Sequence, residues 1–170
     1  IKDKIETPFI YGLDVSKQKV PLAKKKGIQA QIANLEHPFP YANNSFDLVT
    51  ANQIIEHLLN VDGFLREIHR VLKPGGYLIL STENLSSWHN IVALFFGWQA
   101  FSQHTSQIRN LGNPLRLFQY ENSQSQDMHV RIFTPRGLRE IMEVHHLVVE
   151  QTFAAGYYPF LPPASRLFSA

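Results

Sequence analysis

The chain has 170 residues, 44% of them apolar and 18% charged, with no cysteine. That is globular composition, long enough for one real core, and it excludes disorder, a disulfide scaffold, a thiolate zinc site and a cysteine nucleophile. Sixteen Lys and Arg against fourteen Asp and Glu leave a formal net charge of +2, too little for general electrostatic attraction to nucleic acid.

Residues 1–8 read as the tail of a helix. Phe9–Asp14 is a short apolar run ending in an acid and is expected to be a buried strand. Ser16 can cap the helix that follows, which Gly27 ends after Lys24, Lys25 and Lys26. Pro21 makes a start at Lys17 irregular. Gly27–Ala33 alternates and reads as a second strand, and His37–Ser45 is a loop by its Pro and Asn content. Phe46–Ala51 is a third strand and Asn52–Leu59 a short helix. Asp62 is expected to cap a longer helix with Phe64, Leu65, Ile68, Val71 and Leu72 along one stripe, stopped by Lys73-Pro74-Gly75-Gly76. Tyr77–Thr82 is a fourth strand.

Strands alternating with helices predict an α/β fold with a parallel sheet covered on both faces. In such sheets ligands sit beyond the carboxyl ends of the strands, here at Asp14, Asn34, Asn52 and Glu83-Asn84. Ser86–Arg131 is too long for a plain connection and reads as an inserted lid or substrate module, with an apolar-aromatic stretch at Ile91–Trp98 and a polar one at Gln119–Asp127. Its aromatic residues Trp88, Phe95, Phe96, Trp98 and Phe101 suit a small core under the insert, with an acceptor wall or a membrane-resting face over 91–101 as the rivals. Thr134 then caps a helix with Pro135 at its first position and Leu138, Ile141 and Met142 facing inward, to about His145. Leu147–Thr152 is a fifth strand. The division expected is 1–85, a cofactor-binding half; 86–131, the insert; and 132–170, the rest of the same domain. The longest apolar run, Ile91–Phe96, is far below the ~18–20 residues that cross a bilayer. With no visible secretory leader and no cysteine, a cytoplasmic location is the expectation.

Several strings are far less generic. They are Ala33-Asn34-Leu35-Glu36-His37-Pro38-Phe39-Pro40, Ser45-Phe46-Asp47-Leu48-Val49, Ile55-Glu56-His57-Leu58, and the run Phe64–Thr82 containing Arg70-Val71-Leu72-Lys73-Pro74-Gly75-Gly76. Together they resemble the class I S-adenosylmethionine-dependent methyltransferases of the broad small-molecule group, types 11 and 12. The resemblance covers Phe9–Asn84, and more loosely His129–Tyr158. It implies a Rossmann-like doubly wound, mostly parallel sheet with S-adenosylmethionine as cofactor. Asp14 would hold the ribose through its two carboxylate oxygens, and Val15 would lie near the adenine. Asn34 and Leu35 would reach the adenine edge by side chain and backbone N–H, and Asn52 would lie near the methionine and the reacting methyl. Many relatives carry Asp where this chain has Asn34. The family's first strand and glycine-rich loop have no counterpart ahead of Asp14, which reads as an N-terminally truncated domain.

Glu56-His57 belongs to a string, Glu-x-x-Glu-His, that binds a divalent cation in small-RNA 2′-O-methyltransferases and some quinone-pathway O-methyltransferases. Here its first member is Gln53, a poorer ligand for a hard cation, so no metal is expected. The bland reading makes Glu56 and His57 part of the site wall. The sharper one makes His57 a general base toward an acceptor hydroxyl, since an imidazole titrates near ~6.5. His129 and Arg131 are weaker candidates on the segment that would close over the substrate. The expected activity is methyl transfer to an oxygen or nitrogen of a small-molecule, sugar or glycolipid-like acceptor. The rivals are a catalytically inactive binding or assembly module and a nicotinamide-binding sheet, which would also lack its glycine fingerprint.

Overall fold

The computed structural model describes residues 9–106, 108–109, 111–114 and 128–154. The first strand, β1, is Tyr11–Asp14; helix α1, Lys19–Lys25, returns the chain to β2, Gln29–Ile32. The two strands pair in parallel, from Tyr11 opposite Gln29 to Asp14 opposite Ile32. Ser16 Oγ accepts from the N–H groups of Gln18 and Lys19 (3.3 and 3.2 Å), so α1 starts two residues later than Lys17. Pro21 then falls in the first turn, where a missing N–H costs no intrahelical bond.

The strand β3, Phe46–Asn52, pairs in parallel with β4, Leu72–Ser81, and the register shifts between Phe46 and Leu48 to take up Lys73–Gly76. Gly75 turns there at φ +77°, and a Cβ on Gly76 would press on the carbonyl oxygens of Lys73 (3.0 Å) and Asp47 (3.1 Å). This Pro-Gly-Gly string is structural: only bare backbone fits the return into the strand.

Between β3 and β4 lie a 3₁₀ turn, Ile55–His57, and helix α2, Val61–Val71. The expected cap is corrected. Asn60, not Asp62, caps α2, its Oδ1 accepting from the Gly63 N–H at 2.9 Å. Asp62, inside the first turn, instead meets the buried His145 Nε2 at 2.8 Å. The expected stripe is all buried, with Phe64, Leu65, Ile68 and Val71 on α2 and Leu72 opening β4. It packs with Phe39, Ala51, Ile55 and Met142 into one core, against which Leu13 and Val49 also rest.

α2 also pins the Pro-Phe-Pro loop. Glu67 accepts from the Phe39 N–H at 2.6 Å, and Arg70 donates to the carbonyls of Phe39 (3.1 Å) and Tyr41 (2.8 Å). The Arg70 guanidinium on Glu67 (2.7 Å), joined by the Phe39 N–H, holds that carboxyl below its usual range.

The parallel pairings are those expected, but among the described residues they form two separate pairs, β1-β2 and β3-β4. β1 and β3 line a common cleft of about 740 Å³, bordered by Tyr11, Leu13, Phe46, Val49 and Ala51.

Helix α3, Trp88–Phe95, follows β4. Its inward positions are Asn90 and Ala93, so the bulky rings point away: Trp88, Phe95 and Phe96 are 60, 83 and 61% exposed. The expected small aromatic core under the insert is corrected for these three rings, which lie on the surface, while Trp98 and Phe101 are half-buried. The polar stretch Gln119–Asp127 lies outside the described residues. Helix α4, Pro135–Val144, is capped by Thr134 as expected, with Oγ1 accepting from the Gly137 N–H at 3.1 Å. Among the described residues the expected fifth strand does not form. Residues 147–152 join no ladder, and Arg139 supplies the partners instead, to the Val149 carbonyl (3.2 Å) and Thr152 Oγ1 (3.3 Å).

Candidate active site at the carboxyl ends of the strands

Asp14 ends β1, half-buried, with Oδ1 accepting from the Ser16 N–H at 2.8 Å. Next to it Val15 is exposed, and the Ala33 N–H donates back to the Asp14 carbonyl (3.1 Å), bringing the end of β2 alongside. Asn34 Oδ1 accepts from the Glu36 N–H at 3.0 Å, which leaves its amide donors facing outward from the turn. Leu35 rests against the core and lines the cleft between β1 and β3. The sequence-derived residues Asp14, Val15, Asn34 and Leu35 thus share one end of the first strand pair.

Asn52 ends β3 beside Ser81 of β4, whose hydroxyl donates to Asn52 Oδ1. Gln53 turns the chain out of the strand in a left-handed conformation (φ +53°), its N–H donating to the Ser81 carbonyl at 3.0 Å. Its side chain reaches Ser81 Oγ (3.4 Å) and not the next two residues of the Gln-x-x-Glu-His string.

Glu56 and His57 come from the 3₁₀ turn, and the segment 128–131 is stitched across it. The Val130 N–H donates to the Glu56 carbonyl at 2.9 Å, and Arg131 Nη2 donates to the Leu59 carbonyl at 2.9 Å. Arg131 is thereby tied through one guanidinium nitrogen to the backbone beside the turn. The same stitching brings His129 to His57, ring centroids 4.8 Å apart. His57 Nδ1 lies 2.9 Å from the Met128 carbonyl and His129 Nδ1 lies 2.8 Å from the Ser102 carbonyl. A carbonyl only accepts, so in each ring Nδ1 carries the proton and Nε2 keeps a lone pair.

Glu56 is 0% exposed. One oxygen accepts from Thr82 Oγ1 at 2.8 Å; the other, Oε1, has no hydrogen-bond partner among the described residues. A carboxylate oxygen of Glu56 and one ring nitrogen each of His57 and His129 all lie within 4.8 Å of one another. On the outer side His104 stacks on His129 (centroids 5.0 Å, planes 10° apart) and its Nδ1 accepts the His129 N–H at 3.2 Å. Burial pushes the His104 imidazole below its usual range, with His129 and His57 adding repulsion to the same effect. Sequence reasoning missed His104, Ser102 and Thr82. No spacing signal announces them, because tertiary folding alone brings their segments to the 3₁₀ turn.

Residues 6–80 match the model of the methyltransferase domain family. Among relatives, the rat mitochondrial ubiquinone biosynthesis O-methyltransferase is 25% identical over 160 residues, covering 89% of this chain and 41% of that protein. The demethylmenaquinone methyltransferase of Listeria monocytogenes is 31% identical over 96 residues, covering 51% of this chain and 40% of that one. The chain spans about two fifths of the length of these relatives. Among solved structures, the Haloferax volcanii complex of the Trm112 methyltransferase activator with a methyltransferase aligns at TM-score 0.63 and 17% identity, over 99% of this chain and 64% of that one. An S-adenosylmethionine-dependent methyltransferase of Thermotoga maritima aligns at 0.55 and 22%, over 80 and 53%. The fold is that of the class I S-adenosylmethionine-dependent methyltransferases. Residues 6–80 are thus similar to a methyltransferase domain, and S-adenosylmethionine is the cofactor the fold implies.

Proposed function

We propose that this chain supplies a large part of an S-adenosylmethionine-dependent methyltransferase acting on a hydroxyl oxygen of a small, lipid-linked aromatic acceptor of the quinone-precursor type. The residues present fit the ribose and adenine of the cofactor. Asp14 has Oδ2 left to accept from a ribose hydroxyl after Oδ1 takes the Ser16 N–H, and Asn34 has its amide donors left for the adenine edge. In this reading Val15 and the Leu35 N–H would flank that edge, and Asn52, at the end of β3, would stand on the methionine side. The cofactor, when bound, supplies an already activated sulfonium methyl, and the protein contributes position.

One observation carries the choice of oxygen: the imidazoles of His57 and His129 lie 4.8 Å apart just past the end of β3, each with Nδ1 on a backbone carbonyl, which leaves Nε2 of the neutral ring to take a proton. A hydroxyl nucleophile needs its proton accepted, and an imidazole does that near neutral pH. The two quinone-named relatives support the acceptor class. So does the exposed apolar face of α3, including Ile91 and Phe95, which suits resting on a bilayer where a lipid-linked acceptor resides. No helix among the described residues is long and apolar enough to cross a membrane. The 86–131 segment that carries α3 acts in this reading as the acceptor-side module.

Calorimetric titration of the full-length protein with S-adenosylhomocysteine tests the reading. Binding is expected, and Asp14→Ala should weaken it about tenfold or more, the value of one charge-assisted hydrogen bond. Absence of binding by the full-length protein would refute the enzyme reading in favour of a binding or assembly module.

A further inference from the structure

Leu59 follows the 3₁₀ turn with its side chain 69% exposed, so packing does not explain how its backbone is held. Its N–H donates to Glu36 Oε1 at 2.6 Å, and its carbonyl accepts from Arg131 Nη2 at 2.9 Å. At an exposed residue water would satisfy both groups. Instead two long side chains, one 23 residues earlier and one 72 residues later, converge on a single residue's backbone. Each gives up rotamer freedom to do so.

The two ends of this clamp come from opposite sides of the candidate site. Glu36 belongs to the turn that Asn34 closes: Asn34 Oδ1 accepts from the Glu36 N–H at 3.0 Å, and the Asn34 carbonyl from the His37 N–H at 3.1 Å. Farther along the same loop, Phe39 and Tyr41 are fixed on α2 by Glu67 and Arg70, so a shift at Asn34 passes to Glu36 rather than being absorbed downstream. Arg131 belongs to the segment that carries His129 and that the Val130 N–H ties to the Glu56 carbonyl.

We propose that Glu36 is a positioning residue: through Leu59 it sets segment 128–131 from the cofactor side, so that filling the adenine edge at Asn34 tightens the segment that holds His129 beside His57. A ligand that fixes the Asn34 side chain fixes the turn it closes. That lowers the conformational cost of holding Glu36 on Leu59, and Arg131 carries the gain to the acceptor side. The link is reciprocal, so an acceptor that orders 128–131 strengthens cofactor binding by the same factor. The cofactor half of this inference rests on the proposed function; the clamp itself does not.

The test is amide-resolved hydrogen exchange on the full-length protein, first without ligand. Glu36→Ala should speed exchange about tenfold at Leu59, the value of one hydrogen bond to a carboxylate, and at least about threefold at Val130, whose own partner is the Glu56 carbonyl. Glu36→Gln keeps an acceptor oxygen and should return Val130 to within about twofold of the wild type. An unchanged Val130, or faster exchange confined to Gly63 and Phe64 at the start of α2, would make Glu36 a support for that helix and overturn the proposal. A Gln variant as fast as the Ala variant also overturns it. Saturating S-adenosylhomocysteine is then added. It should slow Val130 at least about fivefold in the wild type and not in Glu36→Ala, and equal slowing in both refutes the link. Should Glu36→Ala not fold, Arg131→Ala cuts the other half of the clamp: Val130 should lose its response to S-adenosylhomocysteine there, and a retained response counts against the proposal. Failure of the wild type to bind S-adenosylhomocysteine refutes the methyltransferase reading, and the ligand-free comparison still decides the clamp. Normal binding with Val130 indifferent to Glu36→Ala refutes the clamp alone.

Discussion

His104 and His89 are half-buried imidazoles pushed below their usual range chiefly by burial. The sign of their effect follows from proton counting. As pH falls through ~6.5 the unfolded chain binds protons that the folded chain refuses, so stability is full above that value and declines below it until the folded groups titrate. Thermal unfolding should therefore show Tm falling between about pH 7.5 and about pH 5.5, and falling less in His104→Gln. An equal fall in both proteins would remove His104 from the account. At this scale the sequence announced His57 through its place beside Glu56 after a strand, and singled out Asp14 and Asn34 by their positions at strand ends. It could not announce His104, whose imidazole is pushed down chiefly by burial and then by the nearby His129 and His57, neighbours only in three dimensions.

The helix α2 does two jobs, and its sequence shows only one. The spacing of Phe64, Leu65, Ile68 and Val71 declares an inward stripe, and all four are buried. The other job belongs to Glu67 and Arg70, an (i, i+3) pair that together holds the backbone of Phe39 and Tyr41. Arg70→Ala should cost about 2 kcal/mol in urea unfolding, since it strips charge-assisted bonds and leaves Glu67 half-compensated. It should also speed hydrogen exchange at the Phe39 amide, and an unchanged rate there would sink the pinning role. Because Glu67 is depressed below the ordinary carboxylate value, its contribution is present above ~4.3 and lost as pH falls through the folded value. The cap of α2 escaped the sequence for a local reason. Asn60 and Asp62 are both good caps two residues apart, and the choice fell to Asn60 because Asp62 is taken by His145 from α4's end.

The molecule's two parallel pairs share one core, in which Leu13 of β1 rests against the same cluster that buries Ala51 of β3 and Leu65 of α2. Leu65 is fully buried at the centre of that cluster. Leu65→Ala should cost about 2–5 kcal/mol in the urea midpoint, while His69→Ala on the solvent side of the same helix stays within about 0.5 kcal/mol. A cost for Leu65→Ala as small as the surface change would mean that the pairs do not depend on a common core.

The sequence by itself determined the alternation of strands and helices, the parallel sense, the buried stripe of α2, the Pro-Gly-Gly return and the polar residues at the strand ends. These depend on periodicity, capping and backbone sterics within a few residues, which the order of residues encodes directly. The tertiary structure alone decided the rest. Among the described residues it kept 147–152 out of a ladder, turned Trp88 and Phe95 outward and set His129 beside Glu56 and His57. Each of these depends on which distant segment occupies the neighbouring space, which the order of residues within a few positions does not encode.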